Sequence, residues 1–420
     1  MDDLKIAILG YGTVGSAVCK ALINNKEIIK ARCGKNIIPI IALARTPKPH
    51  ALIPISTDIK DILKYDDIDI FVELMGGIEE PFKIVSQILK HKKSVVSANK
   101  AMLAYHRYEL ENLAKDSFLG YEASVAGGIP IIKILKDGLN ANNIISIAAI
   151  LNGTSNYILS SMSKKNTNFN EALSQAQALG YAEADPSFDI NGLDSAHKLL
   201  ILSSLAYGLK NNPEDILIEG ISKITSEDIY FAREFDFEIK LLGIAKIRNN
   251  DKIELRVHPT MINKDKMLSN VSGVMNAVSI VGDILGENVY YGAGAGGDAT
   301  ASAVISDIIE IAKKRTQGPI LGFSEKLSYT LIQKDDIYTK YYLRLKVEDK
   351  IGILSKITNL MCENNISIDS FLQKPKANDS YSTLFFTTHH TFEKQIQNLL
   401  NTLKQQSFIK EDPFMIRIDD

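Results

Sequence analysis

The sequence predicts an α/β protein with three parts: a doubly wound parallel sheet, an α+β region, and a last unit of ferredoxin-like βαββαβ order. Near the amino terminus, an apolar strand, a glycine-rich turn and a helix follow one another in KIAILGYGTVGSAVCKALINN. Further apolar strands then alternate with helical segments, which is the pattern of a doubly wound sheet. The third observation is YYLRLKVE, from residue 341, whose apolar and polar side chains alternate as in a half-buried strand.

Chain length and charge limit the possible functions. The 420 residues suffice for two or three domains with sizeable cores. A formal net charge of −2 gives no electrostatic reason to expect nucleic acid or an anionic membrane as a partner. No apolar run approaches the roughly 18 residues of a membrane span, so we expect a cytoplasmic protein with a small-molecule partner. The three cysteines lie far apart without CxxC spacing, which argues against a zinc site and a disulfide framework.

The first glycine-rich turn has GxGxxG spacing, with Gly10, Gly12 and Gly15 between the strand and the helix. Glycines allow the tight turn and let backbone N–H groups at the helix N-terminus approach a pyrophosphate, as in Rossmann-type dinucleotide-binding units. A glycine-rich turn without a ligand is the alternative. The strand–turn–helix context favours a dinucleotide.

The second strand, NIIPIIALA, ends at Ala44-Arg45, where a fold that selects NAD usually carries an acid for the ribose hydroxyl. No acid stands at this position. Arg45, with Lys48 nearby, could contact a 2′-phosphate instead, so the sequence modestly favours NADP over NAD. A solvated basic loop is the alternative.

Two more strands are predicted at DIFVELMGG (69 to 77) and SVVSA (94 to 98). Asn99 and Lys100 come directly after the second of them, at the edge where open α/β sheets bind ligands. By itself, Lys100 is better explained as a surface lysine.

The segment YEASVAGGIPIIKIL is predicted to form a strand and a turn, with Glu122 ahead of a Gly-Gly bend. One acid with exposed carbonyls suits a weakly charged hard cation rather than zinc. A second glycine-rich entry into a helix, YYGAGAGGDATASAVISDIIEIAKK (290 to 314), is expected to return the chain to the dinucleotide-binding domain. His258, before Pro259 at a predicted strand end, is expected to be a hydrogen-bonded structural residue.

The segment AQALGYAEADPSFDINGLDSAHK (176 to 198) places several acids beside one lysine. Asp194 and Lys198 are four residues apart at the start of an apolar helix, so they share a face. Ile201 and Leu205 continue that face and should point inward, which predicts that the lysine is part-buried. An ordinary ion pair one helical turn long is the alternative.

The last unit continues from YYLRLKVE with a helix (GILSKITNLMCENN), two strands (ISIDSFLQ and YSTLFFTTHH), a helix (FEKQIQNLLNTLKQ) and a strand (PFMIRID). This is the ferredoxin-like βαββαβ order. Its edge strands could pair with those of a second subunit. Because a chain of this length does not need a third unit for stability, we expect the unit to be regulatory.

Taken together, these motifs resemble the homoserine dehydrogenase family, in its monofunctional form with a carboxyl-terminal ACT domain, over essentially the whole chain. The most specific piece is the segment 176 to 198, with Asp185-Pro186, Asp189, Gly192, Asp194 and Lys198. The resemblance implies reversible hydride transfer between a nicotinamide and carbon 4 of L-homoserine. The product is L-aspartate 4-semialdehyde, on the route to threonine, methionine and isoleucine.

The resemblance also implies roles for individual residues. Lys198 matches the proposed general acid/base and Asp194 its partner at the reacting hydroxyl. Glu183 matches the carboxylate that contacts the substrate's amino end, and Tyr181 and Thr154 match further substrate-side positions. The cofactor-side positions are Gly10, Tyr11, Gly12, Thr13, Val14, Gly15, Arg45, Lys100, Gly180 and Gly297. The monovalent cation site, usually sodium, corresponds to Glu122 with the carbonyls of Val125, Gly127 and Ile129. Lys100 is the alternative group for proton transfer.

By this resemblance, residues 1–131 with 290–320 form the NAD(P)-binding domain, and 132–289 form the α+β substrate-binding, catalytic and dimerisation domain. Residues 321–340 are a linker, and 341–420 are an ACT domain that senses threonine. Its turn reads Asp-Lys-Ile-Gly where many ACT domains have Asp-x-Pro-Gly, so Ile351 replaces proline. A homodimer or homotetramer is expected. A dehydrogenase of another semialdehyde or hydroxy acid, and an amino-acid sensor without turnover, are the alternatives.

Overall fold

The computed structural model describes residues 3–249, 251–313, 318–375 and 380–419, so predicted segments that include 314–317 or 376–379 lie partly outside it. The chain divides into two compact units. The first unit contains Met1–Gly153, Leu193–Asp215 and Val274–Tyr329. The second unit contains Thr154–Gly192, Ile216–Gly273 and Thr330–Asp420.

The described ranges contain both strands and helices. The strands are β1 (Leu4–Leu9), β2 (Ile37–Leu43), β3 (Ile55–Ser56), β4 (Ile70–Glu73), β5 (Ser94–Ser97), β6 (Leu119–Gly120), β7 (Ile144–Ile150), β8 (Leu217–Ile218), β9 (Phe237–Ile247), β10 (Lys252–Asn263), β11 (Met275–Gly282), β12 (Gly286–Ala293), β13 (Thr330–Leu331), β14 (Tyr338–Glu348), β15 (Ile368–Pro375), β16 (Tyr381–Thr388), β17 (Thr391–Phe392) and β18 (Phe414–Asp419). The helices are α1 (Thr13–Asn24), α2 (Lys26–Cys33), α3 (Ile59–Leu63), α4 (Glu79–Lys90), α5 (Lys100–Leu113), α6 (Ile131–Lys133), α7 (Gly153–Lys165), α8 (Phe169–Ala178), α9 (Ser187–Ile190), α10 (Leu193–Tyr207), α11 (Ser226–Glu234), α12 (Gly297–Ala312), α13 (Ile353–Glu363) and α14 (Glu393–Lys404).

The first unit is built on a parallel sheet with the strand order β3-β2-β1-β4-β5-β6, which confirms the doubly wound prediction. Apolar side chains of β1, including Ile6 and Ile8, share one core with Val18 of α1 and with Val304 and Ile308 of α12. Helix α12 therefore returns the chain to this sheet, as expected. The same unit contains the antiparallel ladder β12-β11-β7.

The strand predicted over YEASVAGG is shorter in the structure, because β6 ends at Gly120. Glu122 instead begins a short 3₁₀ turn, Glu122–Ser124, and its backbone N–H donates to Asp307 at 2.8 Å. A Cβ on Gly120 would lie 2.7 Å from the Asp307 Cβ. Helix α12 therefore approaches the end of β6 so closely that glycine is required there.

The second unit contains the strand order β9-β10-β18-β14-β16-β15, and β8 and β13 also pair with β10. The order β14-α13-β15-β16-α14-β18 confirms the predicted βαββαβ unit, with the short β17 as an addition. Tyr341, Leu343, Leu345 and Val347 are buried on one face, which confirms the predicted alternation. Strand β18 runs parallel to β10, so this edge of the ferredoxin-like sheet is covered within the chain, while β15 ends the strand order at the other edge.

His258 is fully buried and accepts a hydrogen bond from Arg256 (Nη1 to Nε2, 2.7 Å), which fits the expected structural role. Its predicted position at a strand end is wrong, because His258 and Pro259 lie inside β10 and pair with β9. Burial, together with nearby arginine charge, lowers its pKa well below the ordinary range. No helix within the described ranges is both long and apolar enough to cross a bilayer.

Candidate active site

The centre of the candidate site is the Asp194 carboxylate of α10, which lies between two lysine ammonium groups. Lys198 donates from Nζ to Asp194 Oδ2 at 2.7 Å, and Lys100, the first residue of α5, forms an ion pair with Oδ1. The side chains of Asp194 and Lys198 are 2% and 9% exposed, whereas that of Lys100 is 36% exposed. The predicted pair on one helix face is confirmed, and the lysine is more deeply buried than expected.

Helix α10 places these groups because its apolar face continues below them. Ile201 and Leu205, one and two turns further along, are 1% and 5% exposed, as the sequence pattern predicted. Lys198 Nζ also donates to the backbone carbonyl of Leu151 at 2.6 Å, and Asn152 Nδ2 donates to Asp194 Oδ2 at 2.9 Å. The orientation of both charged groups is therefore fixed by hydrogen bonds.

The charge balance keeps Asp194 ionised. Burial would raise the pKa of its carboxyl group, but the ammonium groups of Lys198 and Lys100 outweigh this and hold the pKa well below its ordinary value. Two cations around one anion leave the cluster with one net positive charge. Such a cluster can stabilise negative charge that develops on a substrate oxygen.

Lys100 owes its position to the carboxyl end of β5, as expected from the sequence. The Asn99 side chain caps α5 by accepting a hydrogen bond from the Met102 N–H at 3.0 Å. Its amide nitrogen donates to the Gly77 carbonyl at 2.9 Å, in the loop after β4. The first residue of α5 is thus held between two strand ends of the parallel sheet.

Sequence reasoning missed Glu73, the last residue of β4, which is fully buried. One carboxylate oxygen accepts the Met75 N–H at 2.8 Å, and the other accepts the Ser97 hydroxyl at 2.5 Å. Burial raises the pKa of Glu73 to about 7. The signal in the sequence was a single acid at the end of the apolar run DIFVE. Glu73 ties together the loops after β4 and β5, which lead to Lys100.

The glycine turn between β1 and α1 borders a cavity of about 480 Å³. Gly10 has φ +114°, and a Cβ at this position would lie 2.6 Å from the Leu74 carbonyl oxygen. A Cβ on Gly15 would overlap the Gly10 carbonyl. The cavity lining includes Gly10, Tyr11, Gly12, Arg45, Lys48, Leu74 and Met75. A turn that only glycine can form, a helix N-terminus and two cations suit an anionic dinucleotide.

A second cavity of about 230 Å³ contains the lysines. Its lining includes Val14, Leu74, Met75, Lys100, Ser124, Lys198, Gly294 and Thr300. Leu74 and Met75 therefore line both cavities, so the lysine cavity borders the one at the glycine turn. Gly297, at the start of α12, packs against Thr13, because a Cβ there would lie 3.3 Å from the Thr13 carbonyl oxygen.

The predicted cation-site residue Glu122 uses its side chain within the fold. Its two carboxylate oxygens accept the N–H groups of Ile132 and Lys133, each at 2.9 Å, at the start of α6. Burial, followed by the charge of Asp307, raises the pKa of Glu122 to about 7. Both oxygens of the Glu122 carboxylate thus have hydrogen-bond partners within the fold.

The backbone after Glu122 is tightly packed. Val125 is buried, and Ile129 donates its N–H to the Ala126 carbonyl at 3.0 Å. Gly127 has φ +51°, and a Cβ there would lie 2.7 Å from the Gly294 carbonyl oxygen. The Ile129 carbonyl accepts the Ile131 N–H at 2.8 Å. The close approach of Gly294 leaves no room for a side chain at position 127.

The remaining predicted residues lie in the second unit. Thr154 donates from Oγ1 to the Tyr181 carbonyl at 2.7 Å, so the structure brings these two together. Gly180 has φ +75° directly after α8, and the Glu183 side chain is exposed. The loop predicted around Asp189 contains the short helix α9, because Pro186 precedes it and the Asp189 N–H donates back to the Pro186 carbonyl at 3.0 Å.

Comparisons with protein families match three parts of the chain. A family model described as homoserine dehydrogenase matches residues 130–309. The homoserine dehydrogenase NAD-binding domain matches residues 10–118, and the ACT domain matches residues 341–408.

Comparisons with whole proteins extend over nearly the full length. A homoserine dehydrogenase from Helicobacter pylori is 53% identical over 419 residues, covering 99% of each chain. One from Neisseria gonorrhoeae is 41% identical over 432 residues, covering 100% of this chain and 99% of that protein. A crystal structure of the Thiobacillus denitrificans homoserine dehydrogenase superposes with a TM-score of 0.94 and 39% identity, covering 100% and 99%. A hyperthermophilic archaeal homoserine dehydrogenase in complex with NADPH has a TM-score of 0.64 and 28% identity, covering 75% of this chain and 99% of its own.

The raised pKa of Glu73 predicts a change of protein stability with pH. A carboxyl group with a higher pKa in the folded than in the unfolded chain binds its proton more tightly when folded. The contribution of the protonated Glu73 carboxyl group to the free energy of unfolding is therefore fully present below about pH 4, and it is lost as the pH rises to about 7. Glu73→Gln removes this titration while keeping an acceptor for Met75 and a donor for Ser97. Between pH 4 and pH 8, the free energy of unfolding of the variant should rise by roughly 3 kcal/mol relative to that of the wild type.

Denaturant unfolding of both proteins across this pH range measures the difference. Other buried acids titrate in both proteins, so they cancel. Two stability curves that stay parallel across the range would contradict the proposed titration of Glu73.

Proposed function

The chain belongs to the homoserine dehydrogenase family, and from this premise we propose that Lys198 and Asp194 form the proton-transfer pair of its reaction. The enzyme interconverts L-homoserine and L-aspartate 4-semialdehyde with a nicotinamide cofactor. The observation that carries the assignment is the buried Asp194 carboxylate, which fixes the Lys198 ammonium at 2.7 Å beside a cavity.

In the direction of aldehyde reduction, negative charge develops on the substrate oxygen. When bound, the nicotinamide supplies the hydride in this direction and accepts it in the other. Lys198, held by Asp194 and by the Leu151 carbonyl, stabilises the developing charge and donates the proton. Asp194 keeps the ammonium oriented and in its charged form.

In the direction of homoserine oxidation, the same lysine accepts the hydroxyl proton and must be neutral to do so. Burial of Lys198 favours the neutral form, and the Asp194 charge opposes it. Lys100 is the alternative acceptor, because it pairs with the same carboxylate and lines the same cavity. Its greater exposure favours a supporting role in binding.

For substrate binding, we assign Glu183 to the ammonium group of homoserine, with Tyr181 and Thr154 as further substrate-side residues. The match to the family segment supports this assignment, as does the exposed Glu183 carboxylate. The hydrogen bond from Thr154 to the Tyr181 carbonyl gives this loop a defined conformation. Gly180, at the start of the same loop, is assigned to the cofactor side.

For the cofactor, we assign NADP as the preferred form, with NAD as a weaker alternative. Arg45 and Lys48 both line the cavity at the glycine turn. The archaeal relative that is 28% identical was solved with NADPH, which is consistent with this choice. Thr13, Val14 and the turn glycines contribute backbone contacts to the cofactor.

We assign a sodium ion to Glu122 together with the carbonyls of Val125, Gly127 and Ile129. Its role would be to hold this turn, which lies next to Ser124 of the lysine cavity. Unchanged activity and stability when sodium is replaced by a bulky organic cation would contradict the site.

We assign residues 341–420 as an ACT domain that binds threonine and lowers activity, in a homodimer or homotetramer. Gly352, with φ +87°, leads into α13, whose first N–H groups could receive a carboxylate. We assign the other domains with the boundaries that the sequence predicted. Residues 1–131 and 290–320 bind NAD(P), residues 132–289 bind the substrate, and residues 321–340 form a linker.

Light scattering of the purified protein tests the proposed homodimer or homotetramer, which a monomeric mass would contradict.

The proton-transfer assignment predicts that Lys198→Ala lowers kcat by about 100- to 10,000-fold, the usual contribution of a general acid or base. Binding of the cofactor should stay near normal, because the glycine turn is untouched. The variant should fold, since Asp194 keeps Lys100 as a charged neighbour. Steady-state kinetics and cofactor titration measure both effects, with Lys100→Ala as the matched control. If Lys198→Ala keeps more than about a tenth of wild-type kcat, proton transfer belongs to Lys100 or to water.

The cofactor assignment predicts that Arg45→Ala narrows the preference for NADPH over NADH by roughly 10- to 100-fold, the loss expected for one charge-assisted hydrogen bond to phosphate. The readout is kcat/KM with each reduced cofactor, and Lys48→Ala serves as the control with a smaller effect. A wild-type enzyme that already uses NADH more efficiently than NADPH would show the Arg45 interpretation to be wrong.

The ACT assignment predicts that Ile351→Pro makes the enzyme more sensitive to threonine, because proline stiffens the turn before α13. Ile351 is fully exposed, so the substitution removes no packing. Coupling between such sites is typically about 1 to 3 kcal/mol, which a threonine titration of activity can resolve. If neither protein is inhibited and calorimetry detects no threonine binding, the domain has a structural role instead.

A further inference from the structure

Arg417, in the last strand β18, is fully buried and lies between two carboxylates. Its Nη1 and Nη2 atoms donate to the two oxygens of Glu219 at 2.8 and 3.0 Å. Its Nε and Nη2 atoms donate to the two oxygens of Glu393 at 2.8 and 2.5 Å. Bidentate pairing on both sides fixes the guanidinium in one orientation. Two carboxylates therefore share one buried cation.

Glu219 is held on β10 as well as by Arg417. The preceding strand β8 pairs with β10 through Ile218 and Val257, and the Glu219 N–H donates to the Val257 carbonyl at 2.8 Å. Arg417 itself faces Thr260 in the parallel pairing of β18 with β10. Strand β10 is therefore paired both with β18, which contains Arg417, and with β8, which directly precedes Glu219.

The residues from Glu219 to Ile221 support the carboxyl end of the substrate-side segment 176–192. The Ile221 N–H donates to the Ile190 carbonyl at 2.9 Å. A Cβ on Gly220 would lie 2.7 Å from the Asn191 Cα, and a Cβ on Gly192 would lie 3.2 Å from the Glu219 carbonyl oxygen. These backbones are in direct contact, so a displacement of Glu219 must displace Ile190–Gly192.

The rest of the segment is anchored to α7. Thr154 donates to the Tyr181 carbonyl, and Ser155 Oγ donates to the Asp189 carbonyl at 3.0 Å. The contact with Gly220 and Ile221 is a further support, and it depends on residues far away in the sequence. Through the pairing of Glu219 with Arg417, this support depends on β18, the last described strand.

We propose that Arg417 and Glu219 are positioning residues for substrate binding: the last strand holds the segment 176–192 in its working conformation through this ion pair. The proposal rests on the assignment of Glu183, within that segment, to the substrate ammonium. It gives β18 a role in substrate binding. Removing residues 341–420 would therefore damage substrate binding directly, in addition to removing the ACT domain.

The test uses Glu219, because Arg417 variants would leave the buried Glu393 uncompensated and endanger folding. The Glu219 side chain is 37% exposed, so Glu219→Ala leaves Arg417 paired with Glu393 and should fold. The KM for homoserine should rise roughly tenfold, which corresponds to about 1.4 kcal/mol. The kcat and the KM for the cofactor should change less than about twofold, because the first unit keeps its own contacts. Glu219→Gln, which keeps one acceptor, should recover part of the loss.

Glu393→Gln is the matched control, because it removes a carboxylate from the opposite side of the same guanidinium. It should lower the unfolding temperature and leave the KM for homoserine unchanged. Equal KM increases in Glu219→Ala and Glu393→Gln would overturn the proposal, since both would then reflect general loosening. An unchanged KM in Glu219→Ala would also overturn it.

Glu183→Gln separates this inference from the assignment on which it rests. It should raise the KM for homoserine more than about tenfold, since it removes a charge-assisted hydrogen bond. An unchanged KM in Glu183→Gln alone rejects the role of Glu183 in binding the ammonium. A raised KM in Glu183→Gln with an unchanged KM in Glu219→Ala rejects the positioning role.

Discussion

A buried carboxylate that two ammonium groups hold in place is the interaction on which the proposed active site depends. Removing the charges of Asp194 and Lys198 from water is costly, and the cost is offset only if the geometry is good and each group is hydrogen-bonded. Asp194 meets this condition through Lys198, Lys100 and Asn152. The site therefore needs α5 and α10 in fixed positions. The caps and strand ends that place these helices, including Asn99 and Glu73, serve that requirement.

The features that the sequence predicted are those encoded over short distances. The glycine turn needs six consecutive residues, and the face shared by Asp194, Lys198 and Ile201 follows from the helical period alone. The order of strands in the last unit was likewise readable from alternation and turn residues. Each of these signals lies within one or two elements, so neighbouring residues suffice to reveal it.

The features that the sequence did not reveal join distant residues. Arg417 and Glu219 are 198 positions apart, and their pairing follows from the position of β18 beside β10. The use of Glu122 as an acceptor for two backbone N–H groups was hidden because an acid near glycines also suits a cation. No local pattern distinguishes a carboxylate that completes the fold from one that binds a ligand. That distinction requires the hydrogen-bond partners.

The most direct test of the Lys198–Asp194 pair is the pH dependence of kcat/KM for homoserine oxidation in the wild type and in Asp194→Asn. Oxidation requires a neutral lysine. Loss of the neighbouring negative charge favours that form, and the two ammonium groups left side by side favour it further. The rise in rate should therefore move to lower pH, with a lower maximum. An unmoved pH profile would show that the group that accepts the proton is neither of the two lysines that Asp194 holds.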